Sequence, residues 1–242
     1  MTTAADDFTT FGPSHLGALG VLLVGAVAVV LVGRAQRGRP SAVVLSRAFA
    51  VLIPVFTVPL QLLQLTPAEW DLGTSLPFQL CDLAWVFAVH ALWTHRRWSV
   101  TLTYLWGITL VTQAMITPDL ATNFPGARYL MFWAMHLLIV WASVYLTLGL
   151  GIAPRWRDLR TVVAITLTWA VAAFCFNVVA GTNYGYLNAK PARGSALDLL
   201  GPWPGYVLVE IAIVIGVWTL LTWPWARRES RTYQGDGDLA RP

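Results

Sequence analysis

Seven stretches of about 20 largely apolar residues divide this chain, each long enough for a helix to cross about 30 Å of hydrocarbon. They run over 14–33, 47–65, 76–95, 98–117, 128–150, 159–180 and 203–225. Buried helices of a water-soluble α-protein would show an amphipathic period and carry charge on one face. Here nearly all the charge falls between the stretches. Hydrophobic residues make up 57% of the chain and charged ones 12%, so lipid rather than water is its main solvent. The expected fold is all-α, a polytopic membrane helical bundle of about seven transmembrane helices. An external segment over 1–13 precedes the seven-helix domain at 14–226, and a polar tail over 227–242 reads as disordered.

Lysine and arginine concentrate in cytoplasmic loops, and their distribution fixes the expected orientation. Arg34, Arg37, Arg39, Arg47, Arg96, Arg97, Arg155, Arg157, Arg160, Arg227, Arg228, Arg231 and Arg241 fall in the first, third and fifth connections and the tail. That is thirteen of the 16 basic residues; Arg128, Lys190 and Arg193 are on the other side. The N-terminus is therefore expected outside and the C-terminus in the cytoplasm of a cell-membrane protein. The net charge of +4 is a topology signal. Nucleic acid is set aside as a partner, because these arginines are scattered over short loops rather than forming one basic face.

The opening MTTAADDFTT is acidic where a secretory signal is basic, so the first span is expected to stay in the mature protein. Both cysteines, Cys81 and Cys175, lie within spans, which argues against a secreted disulfide scaffold. No heptad or internal repeat suggests more than one bundle. Most connections are short; 181–202 is a sizeable external loop rich in turn formers. Pro54 and Pro59 interrupt the second span, where a kink or break is expected.

Polar residues inside hydrocarbon are costly and point to a cavity, a partner or a function. With alternating spans, Gln61 and Gln64, Gln79, Cys81 and Asp82, Gln113, His136, Asn177 and Glu210 all fall in the outer half. At 1.5 Å per residue Cys81 lies roughly 8 Å and His136 roughly 12 Å below the outer end of its span. A polar cavity open toward the outer face follows. Interhelical hydrogen bonding by Gln and Asn is the plainer account of such residues.

Cysteine attacks as the thiolate, and an imidazole can remove its proton and stabilise the charge that results. Cys81 and His136 supply such a pair, with Asp82 or Glu210 as a group that orients the ring. Cys81 as a packing residue and His136 as a helix bridge are the bland alternatives. Metal-ligand spacings such as CxxC or HExxH are missing, as are phosphate-binding glycine loops. No metal or other cofactor is expected, and membrane lipids are the expected partners. Thirteen tryptophans suit the aromatic belts at a membrane interface.

Five stretches resemble a known family when taken together: LPFQLCDLAWVF at 76–87, TPDL at 117–120, FWAMH ending at His136, NYGYLNAKP at 183–191 and GPWPGY at 201–206. The chain is similar to the bacterial YwaF-type integral membrane proteins, whose animal relative is transmembrane protein 164. That relative is a cysteine-dependent phospholipid acyltransferase, so the resemblance places a nucleophile on Cys81 and its histidine on His136. Gln79, Asp82, Gln113, Asn177, Asn183, Tyr184 and Glu210 are the expected supporting or substrate-binding residues. The chain departs from the family pattern at Gln79, where a histidine often stands, and at Gly205, where an aromatic does. The reading is a lipid acyltransferase working in an outward-facing intramembrane cavity. The alternative is a small transporter or sensor that binds its ligand there.

Overall fold

The computed structural model describes residues 7–118, 120–191 and 195–238, with the side chains of 196 and 228–238 excepted. Residues 1–6, Asp119 of the TPDL stretch, Arg193 of the long loop and the end of the tail at 239–242 lie outside the described residues. Seven helices follow in order: α1 Pro13–Gln36, α2 Ser41–Gln64, α3 Leu80–Thr94, α4 Arg97–Ile116, α5 Ala127–Gly149, α6 Trp156–Ala180 and α7 Gly205–Asp238. Six of them are long and apolar enough to cross a membrane. The exception is α3, whose 15 residues rise only about 22 Å.

Helix ends follow local chemistry. Pro13 occupies the first helical position of α1, where its fixed φ suits the helix and its missing N–H is not needed. Gly181 ends α6 with φ of 68°, a left-handed cap that glycine adopts without steric cost. Of the kink or break expected at Pro54 and Pro59, no break occurs: the second helix remains one element from Ser41 to Gln64. Each of α4 and α5 contains one π-helical turn, at Gly107–Val111 and Tyr145–Gly149.

Helices α4 and α5 are the buried centre, and α1, α2, α6 and α7 turn most of their apolar surface outward. Close approach of small residues sets the packing of α1 on α5. A Cβ on Gly33 would lie 2.7 Å from the Cα of Gly149, so the two backbones meet there directly. Several tryptophans expected in interfacial belts instead tie helices together. Trp106 donates to Thr166 Oγ1 at 3.0 Å, Trp141 to Leu22 O at 2.9 Å and Trp218 to Thr109 Oγ1 at 3.0 Å. A buried indole N–H needs such a partner, and in hydrocarbon no water supplies one.

Successive helices alternate in direction. At one end Arg34 and Arg37 donate to Leu148 O, His95 Nε2 meets Ser46 Oγ at 2.9 Å, and Arg97 donates to Ala153 O at 3.0 Å. The first, third and fifth connections therefore lie together. At the other end Asp7 pairs with Thr122, Gln61 donates to Ser75 O at 2.8 Å and the Leu76 amide donates to Tyr184 Oη at 3.1 Å. The latter end, which also carries the loop 181–202, holds the cavity.

Candidate functional site

A cavity of about 850 Å³ opens among α2 to α7 and is roofed by the long loop. Its most informative wall is the start of α3. A span was expected from residue 76, yet the helix begins only at Leu80, because Gln79 is extended (φ −66°, ψ 147°) and caps it. The Gln79 amide donates to Asp82 Oδ2 at 3.1 Å, and Gln79 Oε1 accepts from the Gly185 amide of the roof, also at 3.1 Å. The segment before it is held in a tight turn, the Phe78 amide donating to Leu76 O at 2.7 Å: Trp169 donates to Phe78 O at 3.0 Å, and the Phe78 ring stacks on Phe176. Cys81 therefore occupies the first turn of a helix. Amides of a first turn have no intrahelical acceptor, and the helix dipole places partial positive charge there. That is a setting suited to a developing oxyanion.

His136 faces the same cavity from α5 and is 2% exposed. Its Nδ1 lies 2.7 Å from Phe132 O, and its ring stacks on that of Phe132 at 3.9 Å. A carbonyl can only accept, so Nδ1 carries the proton and Nε2 presents a lone pair. That Nε2 is buried and has no hydrogen-bond partner among the described residues. Asp82 or Glu210 was the expected orienting group for the ring; the carbonyl one turn back occupies that position instead. Cys81 and His136 share the cavity without being hydrogen-bonded to each other. Thiol–imidazole contacts often tighten only when substrate is bound.

Asp82, Glu210, Gln79 and Gln113 also line the cavity, together with Gln61 and Gln64. Among the described residues no lysine or arginine lines it, so its two carboxyl groups have no permanently charged cation beside them there. Among the described residues, no group of three or more His, Cys, Asp and Glu residues is placed to hold a metal ion.

Asn177, Asn183 and Tyr184 take a different place, at the foot of the roof. Asn177, 2% exposed, donates from Nδ2 to Tyr184 O and Asn188 Oδ1, each at 2.9 Å. Its Oδ1 accepts from Thr182 Oγ1 and the Tyr184 amide, each at 2.8 Å. Asn183 Oδ1 accepts from the amides of Asn188 and Ala189. Tyr184, fully buried, donates to Leu72 O at 2.7 Å. Burial pushes its phenol above the usual tyrosine range, so it stays neutral and able to donate. With both Nδ2 hydrogens committed, Asn177 has none for a ligand. Asn177→Ala is expected to cost about 1–3 kcal/mol, because it strands buried donors and acceptors of the loop. A lowered melting temperature and earlier proteolysis within 181–202 would report it, and an unchanged cleavage rate would contradict the role.

Wall residues not singled out from sequence include Thr57, Trp169, Tyr186 and Trp218. One signal was available. On α7 the lining positions Val207, Glu210, Ile211, Val214, Ile215 and Trp218 recur at the spacing of one helix face, so Glu210 alone implies the rest. Cys175, by contrast, is exposed on the outer surface of α6 and does not line the cavity.

Compared with known families, residues 10–222 match the model of the TMEM164 family. No curated protein and no solved structure matches the chain.

Proposed function

The chain belongs to the TMEM164 family and is a multi-pass membrane protein, and from that premise we propose that it transfers acyl chains between membrane lipids, with Cys81 as nucleophile and His136 as its base. One observation carries the reading. An imidazole with its Nδ1 proton fixed on Phe132 O keeps an unpartnered Nε2 on the same intramembrane cavity as a first-turn cysteine. A simple packing role leaves that nitrogen unsatisfied at a cost.

In the proposed reaction His136 Nε2 takes the Cys81 Sγ proton as sulfur attacks the carbonyl carbon of a phospholipid ester. The carbon–oxygen bond breaks, Nε2 returns the proton to the departing lysolipid oxygen, and a thioester remains on Cys81. An acceptor hydroxyl then gives its proton to Nε2 and attacks the thioester, which frees the thiolate to be reprotonated. The first-turn amides of Leu80 and Cys81, and Gln79 Nε2, which has no acceptor among the described residues, are the donors suited to the oxyanion. The substrate is a lipid because the cavity is set among membrane helices and its walls are mostly apolar. Purified protein given a labelled phospholipid donor and a lysolipid acceptor should move the label to the acceptor; no transfer would reject the reading.

A second reading is favoured by Asp82 and Glu210, two carboxyl groups on a cavity lined by no lysine or arginine among the described residues. That arrangement suits a small transporter or sensor for a cation. It requires activity that survives loss of the thiol.

The proposed orientation puts the cavity end outside the cell membrane and the arginine-rich end in the cytoplasm. The basis is the distribution of lysine and arginine over the two ends. Single cysteines placed at Leu199, which is exposed, should react with an impermeant maleimide on intact cells, and those after Arg227 only once the cells are opened. Labelling in the opposite order would reverse the orientation.

A further inference from the structure

Deeper than Glu210 the cavity changes character. On α7 its wall is Ile211, Val214, Ile215 and Trp218, and the whole stripe from Val207 to Trp218 covers about 16 Å along the helix. Val163 and Leu167 of α6 and Leu110 of α4 also contribute apolar walls. His136 marks the upper limit of this region, and the polar groups among its walls, Thr57 and Thr166, are already committed: Thr57 Oγ1 donates to Ile53 O at 3.1 Å. Thr166 Oγ1 donates to Val162 O at 2.9 Å and accepts from Trp106 at 3.0 Å. Water would find few partners there, whereas a hydrocarbon chain would lose nothing by entering. Trp218 is 1% exposed and held in place. Its indole N–H donates to Thr109 Oγ1 at 3.0 Å, and that hydroxyl donates to Leu105 O at 2.6 Å. Thr109 itself belongs to the π-helical turn of α4.

We propose that this apolar end is an acyl-chain pocket and that Trp218, the last lining residue of α7, sets the chain length the protein accepts. The inference rests on the acyl-transfer reading and adds a specificity-determining residue to it. A chain whose carboxyl carbon is at Cys81 runs down the α7 stripe, and an over-long chain has to displace an indole fixed by a hydrogen-bond chain. Misfit by a methylene in a closed apolar pocket discriminates by about tenfold or more.

Two readouts separate this inference from the reading beneath it. The first is competition among phosphatidylcholine donors with saturated acyl chains of stepwise length, with the transferred chain identified by mass spectrometry. The second needs no turnover: the chain-length distribution of lipid retained by the Cys81→Ser protein after exposure to the same mixture. Trp218→Ala should move both distributions toward longer chains, changing the ratio of long to short by about tenfold. Val214→Phe narrows the pocket one turn above Trp218 and should move both toward shorter chains, which keeps the test decisive if Trp218→Ala fails to fold. Distributions unmoved in Val214→Phe and in any folded Trp218→Ala would overturn the inference, even where transfer itself is intact. Shifted retention in a protein that transfers nothing would uphold the pocket and reject only the acyl-transfer reading.

Discussion

Cys81→Ser is expected to reduce acyl transfer by at least about a thousandfold, the scale on which removal of a nucleophile acts. The substitution changes one atom, yet an alcohol is ionised far less readily than a thiol, so little nucleophile forms at neutral pH. Folding should survive it. Serine is well tolerated near helix N-termini, and Cys81 is in the first turn of α3. Cys175→Ser is the internal control, since that side chain is exposed on α6 away from the cavity, and it should keep wild-type turnover. Transfer intact in Cys81→Ser, or lost equally in Cys175→Ser, would return the cavity to the transporter or sensor reading.

The second large effect is expected at His136. His136→Phe retains an aromatic ring to stack on Phe132 but has no nitrogen to take a proton, so turnover should fall by roughly the same factor as in Cys81→Ser while the melting temperature changes little. The double variant should lose little beyond either single one, because groups that act as a unit are not additive. Additive losses of the two changes would mean that Cys81 and His136 act on separate steps. A melting temperature that collapses together with activity would assign His136 to packing.

Much of this architecture could be read from the residues. Length and polarity alone place six membrane-crossing helices near their observed limits, because a 20-residue apolar run has few other ways to satisfy its backbone in lipid. The gathering of Cys81, Asp82, Gln113, His136 and Glu210 on one cavity followed from counting depth along alternating spans. What stayed hidden depends on contacts between segments remote in sequence. Hydropathy reads residues 76–79 as span, but the tie of Gln79 to Gly185, 106 residues away, helps hold them outside α3. Asn177 has the composition of a cavity residue, and only the path of the loop turns it into a fastening for Tyr184 and Asn188. The carbonyl that orients His136 carries no side-chain signal at all. Tryptophans taken for interface markers are held by threonines whose partnership sequence does not reveal.

The most direct measurement is to trap the covalent intermediate. Purified protein is incubated with a phospholipid carrying an isotope-labelled acyl chain, without acceptor, then quenched in acid, and its peptides are resolved by mass spectrometry. The account predicts one acyl group on the peptide that contains Cys81, released by neutral hydroxylamine as a thioester should be, missing from Cys81→Ser and accumulating far more slowly in His136→Phe. Acyl transfer that proceeds with no label on Cys81 at any time would contradict it.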